Sequence, residues 1–175
     1  IASDLYKMFH YYFGGVQGGL AIGTMGMMVA ISAMNGLSVA GMAVGATIAI
    51  PEMLKRNYDK RMITGVVQAG SSLGILIPPS VVLVLYGMIA RQPVSKLWLA
   101  GVVPGLMMAS LFILYIYIRC KLQPELGPVL SKEERQISFI EKLKLLRAGI
   151  IPFVIFFVMT GLFIMGIASL VECSA

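Results

Sequence analysis

Long apolar stretches separated by short charged clusters run through the whole chain, and they predict an all-α membrane protein. Residues 14–51 and 62–90 carry no charged side chain, and further uncharged stretches follow at 97–118 and 148–171. Each is long enough to cross the roughly 30 Å hydrocarbon core of a bilayer as a helix. The composition agrees, since 58% of the residues are hydrophobic, 13% are charged, and the mean hydropathy is +0.89.

Residues 1–14 predict a short amphipathic helix. Leu5, Met8, Phe9 and Tyr12 recur at the i, i+3, i+4, i+7 spacing of one helix face. The segment is too short to span a bilayer and is rich in aromatic side chains at its end, so it is expected to lie along the membrane interface.

The uncharged stretch that follows is too long for one ordinary span and has a turn signal near its middle. Asn-Gly is a strong turn dipeptide, and here it is Asn35-Gly36. We therefore predict a re-entrant helical hairpin over 19–52 with its tip at 33–40. A single long, strongly tilted helix through 19–51 is the alternative.

The next stretch predicts a transmembrane helix over 61–90 that is broken at 70–80. Two adjacent prolines remove two amide donors and clash with the preceding turn. The break contains small and hydroxyl-bearing residues beside the prolines: Gly70, Ser71, Ser72, Gly74, Pro78, Pro79 and Ser80. Backbone groups freed from a helix in hydrocarbon need protein, water or a ligand. The sequence thus favours a binding site for an ion or polar solute, and a proline kink packed by neighbouring helices is the alternative.

The remaining elements are two spans and a connector. Transmembrane helices are predicted at 97–118 and 148–171, and between them 119–147 predicts a polar connector with a short amphipathic helix. The segments 52–61 and 119–147 together hold eleven Lys and Arg residues, against two in 91–96. The positive-inside rule therefore places the two basic segments in the cytoplasm.

Several function classes are disfavoured by the composition. The net charge of +6 comes from short clusters between apolar stretches, which indicates topology signals and lipid contacts rather than nucleic-acid binding. The chain has one histidine, no Walker sequence and no carboxylate pair within its apolar stretches, so an enzyme is not expected. The two cysteines, Cys120 and Cys173, are predicted on opposite membrane faces and indicate neither a disulfide nor a metal.

Taken in order, several motifs resemble the large membrane subunit of TRAP transporters, the tripartite ATP-independent periplasmic carriers of bacteria and archaea. The resemblance covers essentially the whole chain. Its most specific parts are Asn57-Tyr58-Asp59-Lys60-Arg61, Ala69 to Ser80, Leu85-Tyr86-Gly87 and Leu99 to Gly105. A weaker match is the end of the chain, where Glu172 and Ala175 keep the family's pattern and other positions depart from it.

The resemblance implies a multi-pass protein of the inner membrane that works as an elevator-type secondary transporter with inverted repeats. The helix at 1–14 would be the arm that links the moving domain to the scaffold. The hairpin and the broken helix would belong to that moving domain, 97–118 would close the first repeat, and 148–171 would open the second. The expected partners are a small TRAP membrane subunit, an extracytoplasmic solute-binding protein, an organic anion and the bilayer. We expect the chain to be a central fragment of a longer protein.

A sodium ion, the expected coupling ion, is predicted where the hairpin tip meets the break, since unwound segments offer carbonyl oxygens to a hard cation. No other cofactor is expected. The predicted sodium ligands, largely backbone carbonyls, are Asn35, Gly36, Ser38, Gly70, Ser71, Gly74 and Ile77. The predicted solute-binding residues are Ser38, Ser72, Pro78, Pro79 and Ser80.

The tip departs from the family pattern, which usually reads Ser-Gly-Ser-Ser-Val-Ala. Here Asn35 replaces the first serine and Leu37 the second, whereas Ser38 is kept. Asn35 still offers an oxygen to a cation and Leu37 does not. Coordination through backbone carbonyls survives both changes.

Two other functions remain open at the level of sequence. One is a stand-alone sodium–anion symporter of the same wider fold, which needs no soluble binding protein. The other is a structural membrane subunit that transports nothing, in which Pro78-Pro79 is only a kink.

Overall fold

The computed structural model describes residues 2–129 and, beyond them, residues 150, 154, 157, 158, 160–163 and 165; the side chains of 2–5 and 32–35 lie outside the description. The described residues form helices joined by short turns, with no strand, which confirms the predicted helical class. The α-helices over 2–129 are α1 Ala2–Phe13, α2 Gly19–Asn35, α3 Ser38–Val44, α4 Ile50–Lys55, α5 Lys60–Ser72, α6 Val81–Ala90 and α7 Val94–Leu122.

Helix α2 is the centre of the packing. Its side chains Leu20, Met25, Met27 and Met28 are at most 2% exposed, and the helix contacts α1, α5 and α7. Helix α2 is apolar on all sides, as expected for a helix that is enclosed by other elements. Methionine fills such irregular space well because its side chain is flexible.

Helices α3 and α4 form one continuous stretch of helical backbone. They are joined by a π-helical turn, Gly45–Ala49. A Cβ on Gly45 would lie 2.8 Å from Val67 Cγ1 of α5, so the glycine permits close packing there. The turn at 36–37 between α2 and α3 is therefore followed by a long helical arm against α5.

Helices α5 and α6 are separated by a non-α-helical segment, residues 73–80, which we call the break. It is shorter than the predicted break at 70–80, because α5 continues to Ser72. Helix α5 begins at an N-cap, where the Asp59 carboxylate accepts from the backbone N–H groups of Arg61 and Met62 at 2.9 and 3.2 Å. A short 3₁₀ turn, Leu73–Ile75, follows α5, and the Pro78–Pro79 peptide bond is cis.

Helix α7 is longer than the predicted span at 97–118, since it also includes Val94–Lys96 and Arg119–Leu122. Within the described part of the chain it is the one helix long and apolar enough to cross a membrane unaided. Pro104 lies inside it. The predicted connector at 119–147 is described only to residue 129, and the predicted span at 148–171 lies largely outside the described residues.

The segment after α7 is fastened to the loop before α5. The Tyr58 hydroxyl donates to the Pro128 carbonyl at 3.1 Å, and the Asp59 N–H donates to the Leu126 carbonyl at 3.3 Å. A third bond joins the Gly18 N–H to the Gly127 carbonyl at 3.0 Å. Burial raises the pKa of Tyr58 to about 12. We call this set of contacts the 126–128 clamp.

Candidate site at the tip turn and the break

The turn at 36–37, which we call the tip turn, lies directly against the break. The Gly36 carbonyl accepts from the Val81 N–H at 3.3 Å, and a Cβ on Gly36 would overlap the Pro79 carbonyl oxygen. Gly36 also has a φ of +63°, a backbone conformation that costs conformational free energy for residues with a Cβ. A glycine is therefore required here on two independent grounds.

Ser80 holds the break in shape. Its hydroxyl donates to the Ile75 carbonyl at 2.6 Å and accepts from the Leu83 N–H at 3.3 Å, so it also caps α6. The residue is fully buried. Because its proton is engaged by the Ile75 carbonyl, the predicted solute residue Ser80 has no free O–H to donate to an anion.

Four helix ends come together around this junction. Helices α2 and α5 end beside it, and α3 and α6 begin beside it. The 3₁₀ turn Leu73–Ile75 contacts both α2 and α3, and Gly36 is bonded to the start of α6. Helix C-terminal ends carry partial negative charge and N-terminal ends partial positive charge. The junction can thus favour a cation and an anion at neighbouring points.

The backbone of the break offers unused acceptors. In the described part of the chain, no hydrogen bond reaches the carbonyl oxygens of residues 76–79, including that of the predicted ligand Ile77. By contrast, the Gly70 and Ser71 carbonyls accept from the Leu73 N–H. Gly74 is buried within the 3₁₀ turn. Carbonyl oxygens without an N–H partner are suitable ligands for a hard cation.

The serine hydroxyls differ in what remains available to a ligand. Ser71 is 1% exposed and donates to the Gln68 carbonyl at 2.9 Å, whereas Ser72 is exposed and donates to the Ala69 carbonyl at 2.7 Å. Each oxygen still has lone pairs, because a hydroxyl accepts twice. Ser38 is half-buried at the first turn of α3. The side chain of Asn35 lies outside the description.

Helix α7 packs closely against the break at two glycines that were not predicted as site residues. A Cβ on Gly101 would lie 2.6 Å from the Leu76 carbonyl oxygen, and one on Gly105 would lie 2.9 Å from Ile77 Cγ1. Their Gly-x-x-x-Gly spacing, which permits close approach of a neighbouring backbone, is the sequence signal that points to them. Gly70 likewise permits close packing of α5 against α2, because a Cβ there would lie 2.6 Å from Met28 Cβ.

Comparison with known proteins decides the family. The family model described as the tripartite ATP-independent periplasmic transporter, DctM component, matches residues 1–175. The chain belongs to this family. The resemblance inferred from the motifs is therefore confirmed, and it identifies the chain as part of a TRAP transporter large permease.

Individual relatives give the same result. The chain is 38% identical over 122 residues, 69% of its length, to a C4-dicarboxylate TRAP transporter large permease protein of Pseudomonas aeruginosa. It is 33% identical over 118 residues, 67% of its length, to an ectoine/5-hydroxyectoine TRAP transporter large permease protein of Ruegeria pomeroyi. An isethionate TRAP transporter permease protein of Oleidesulfovibrio alaskensis is 35% identical over 104 residues, 59% of the chain. The matched parts are 29%, 27% and 16% of these relatives.

Proposed function

We propose that the chain is the part of a TRAP large permease that carries the first half of a sodium-coupled site for an organic anion. The transport is secondary uptake across the bacterial or archaeal inner membrane, with elevator-type alternating access. An extracytoplasmic binding protein delivers the solute, and a small membrane subunit completes the transporter. Membership of the DctM family supports the class of function.

The observation that carries the proposal is the junction of the tip turn with the break. Gly36 touches Pro79 and bonds Val81, so two segments that are far apart in the chain form one irregular backbone surface. Irregular backbone at membrane depth persists where it is buried in protein or lines a cavity. In secondary transporters, such interrupted helices bind substrate and coupling ion.

Sodium is proposed to bind on the carbonyl side of this junction. The ligands would be drawn from backbone oxygens of Asn35, Gly36, Gly70, Gly74 and Ile77, with the hydroxyls of Ser38 and Ser71. Ile77 is the best supported of these, because its carbonyl oxygen accepts no hydrogen bond from the described residues. Leu37 supplies no side-chain oxygen, which shifts the proposed coordination toward the backbone.

The anion is proposed to bind near the starts of α3 and α6. Their N-terminal ends favour negative charge, and the Ser38 hydroxyl adds a donor. The Ser72 hydroxyl donates to the Ala69 carbonyl, so it would donate to the anion only after turning away from that carbonyl. Pro78 and Pro79 shape this surface, and Ser80 fixes the start of α6 through its bond to Leu83. A carboxylate fits such a site because each of its two oxygens can accept hydrogen bonds from a different helix start.

Coupling follows from differential affinity. Sodium bound between the tip turn and the break would order both segments and so raise the population of the anion-competent form. The inward sodium gradient then drives net uptake without a chemical step.

The proposal is tested by uptake into proteoliposomes that contain the full-length permease and its small subunit. The solute panel follows the names of the relatives: a C4-dicarboxylate, ectoine and isethionate. We expect uptake of at least one solute that needs both an inward sodium gradient and the binding protein. Uptake that is indifferent to the binding protein would contradict the tripartite function, and a folded complex that transports nothing under any ion gradient would contradict transport itself.

A further inference from the structure

A groove separate from the junction runs between α5 and α7. Its volume is about 750 Å³, and Met25 of α2 lies in its wall. Its lining residues from α5 and α7 recur at four-residue intervals, as one face of each helix requires. On α5 these are Arg61, Gly65 and Ala69, and on α7 they are Leu111, Tyr115 and Arg119, with Gln123 at the C-cap of α7.

One end of the groove is polar and basic. Arg61 at the start of α5 and Arg119 near the end of α7 both line it, with Gln123 beside them. In the part of the chain that the structure describes, neither guanidinium has an ion-pair partner. Asp59 also lines this end, so the two arginines and one carboxylate leave a net charge of about +1 there. One oxygen of that carboxylate accepts from two N–H groups of α5. The Asp59–Leu126 bond of the 126–128 clamp fixes this end of α5 beside the segment that follows α7.

The other end of the groove is apolar. Arg119 and Leu111 are about 12 Å apart along the axis of α7, and Arg61 and Ala69 are the same distance apart along α5. Over this distance the walls change from guanidinium groups to Val66, Leu111 and Phe112. The groove therefore has one charged end and one apolar end. A phospholipid has the same division, because its anionic headgroup is at one end and its acyl chains are at the other.

We propose that this groove is a binding site for an anionic phospholipid of the inner leaflet. The phosphate lies between Arg61 and Arg119, and one acyl chain runs along α5 and α7 past Gly65. Charge complementarity supports this occupant, because two guanidinium groups that have no ion-pair partner among the described residues line the same end of the groove and suit a phosphate. Basic pockets between membrane helices at the cytoplasmic side recognise lipid headgroups in this way. The proposed topology places this end of the groove in the cytoplasm.

Gly65 gives a means of closing the apolar half without disturbing the fold. A Cβ at this position meets no described residue within 4 Å, and leucine is a better helix former than glycine. Gly65→Leu therefore places a side chain in the groove and leaves α5 intact. Thr64→Leu is its matched control, because Thr64 is an exposed neighbour on the same helix that does not line the groove.

The binding test uses full-length permease with its small subunit, stripped of lipid in detergent. Native mass spectrometry measures binding of phosphatidylglycerol and phosphatidylcholine that carry the same acyl chains. We expect the wild type to prefer phosphatidylglycerol, and Arg61→Gln/Arg119→Gln to lower phosphatidylglycerol affinity on the order of tenfold and abolish the preference. Lys55→Gln/Lys121→Gln removes the same charge from exposed residues outside the groove and should keep it.

Gly65→Leu should weaken binding of both lipids, and Thr64→Leu should bind both like the wild type. Equal loss in the two charge variants would show a diffuse surface attraction and overturn the site. Unchanged lipid binding in Gly65→Leu would also overturn it, since the groove would then hold no acyl chain. If glycerol phosphate alone displaced the phosphatidylglycerol, the ligand would be a soluble phosphate and the lipid assignment would be wrong.

Discussion

Gly36 shows at the scale of one residue how the sequence leads to the junction. The Asn-Gly dipeptide predicts a turn, and the positive φ of Gly36 agrees with that chemistry. The expected meeting of the tip and the break followed from the family resemblance, and the specific contact between Gly36 and Pro79 could not be predicted, because the local pattern around Gly36 gives no information about a residue more than forty positions away. That contact comes from the way α2, α3 and α5 pack together.

Gly36→Ala should therefore damage the junction. A Cβ costs about 1–2 kcal/mol at this φ, and it also collides with the Pro79 carbonyl. We expect a lower melting temperature of the full-length protein in detergent and strongly reduced sodium-dependent uptake. Gly161→Ala is the matched control, since a Cβ there meets nothing within 4 Å in the part of the chain that the structure describes. Equal behaviour of the two variants would contradict the role of Gly36.

Ser80 is a residue whose type was predictable and whose partners were not. A hydroxyl beside two prolines in an apolar stretch indicates a solute ligand, and this remains a prediction. The structure adds a supporting role, since Ser80 joins Ile75 to Leu83. Only the chain path through the break brings the Ile75 carbonyl within reach.

Ser80→Ala should destabilise the protein by about 1–3 kcal/mol, because it removes the cap of α6 and the partly buried hydrogen bond to the Ile75 carbonyl. Thermal unfolding in detergent measures the loss. Ser110→Ala is the control, since Ser110 also donates to a carbonyl, that of Leu106 at 2.8 Å, but is exposed. If the melting temperature fell equally in both variants, the hydrogen bonds of Ser80 would contribute no more to stability than the bond of Ser110.

At the scale of elements, hydrophobic runs predict where helices lie more readily than how they contact one another. The apolar stretch at 97–118 indicates a helix, and α7 includes it. Its charged flanks were assigned to loops because the prediction followed the uncharged stretch alone. That Gly101 and Gly105 bring α7 against the break follows from packing, although their spacing was visible.

The 126–128 clamp makes a prediction about pH. Burial holds the pKa of Tyr58 at about 12, above its ordinary value of 10.0. The folded state therefore retains the phenol proton more tightly than the unfolded state does. The resulting stability is fully present below pH 10 and is lost as the pH rises toward 12.

Tyr58→Phe should remove this contribution, together with the bond to Pro128, which is worth about 1 kcal/mol. The variant should unfold more easily near neutral pH and lose less stability than the wild type between pH 10 and pH 12. Thermal unfolding of both proteins at several pH values measures the difference. Parallel curves over that range would show that Tyr58 does not titrate in the folded protein as its burial requires.

At the scale of the whole molecule, the described helices pack around α2, and the tip turn and the break meet at one edge of that core. The helical class and the family followed from the sequence, because apolar stretches and ordered motifs are local signals. The arrangement of the site did not, because it depends on contacts among α2, α3, α5, α6 and α7. The matched part of the chain is less than a third of the length of these relatives.

The central claim is that sodium binds where the tip turn meets the break. The most direct measurement is the sodium dependence of solute uptake by the full-length transporter with Ser38→Ala/Ser71→Ala, compared with the wild type and with Ser110→Ala. We expect the half-saturating sodium concentration of the double variant to rise on the order of tenfold, since each lost oxygen ligand weakens the ion site. Ser110→Ala should match the wild type. A double variant that transports with unchanged sodium dependence would contradict the claim.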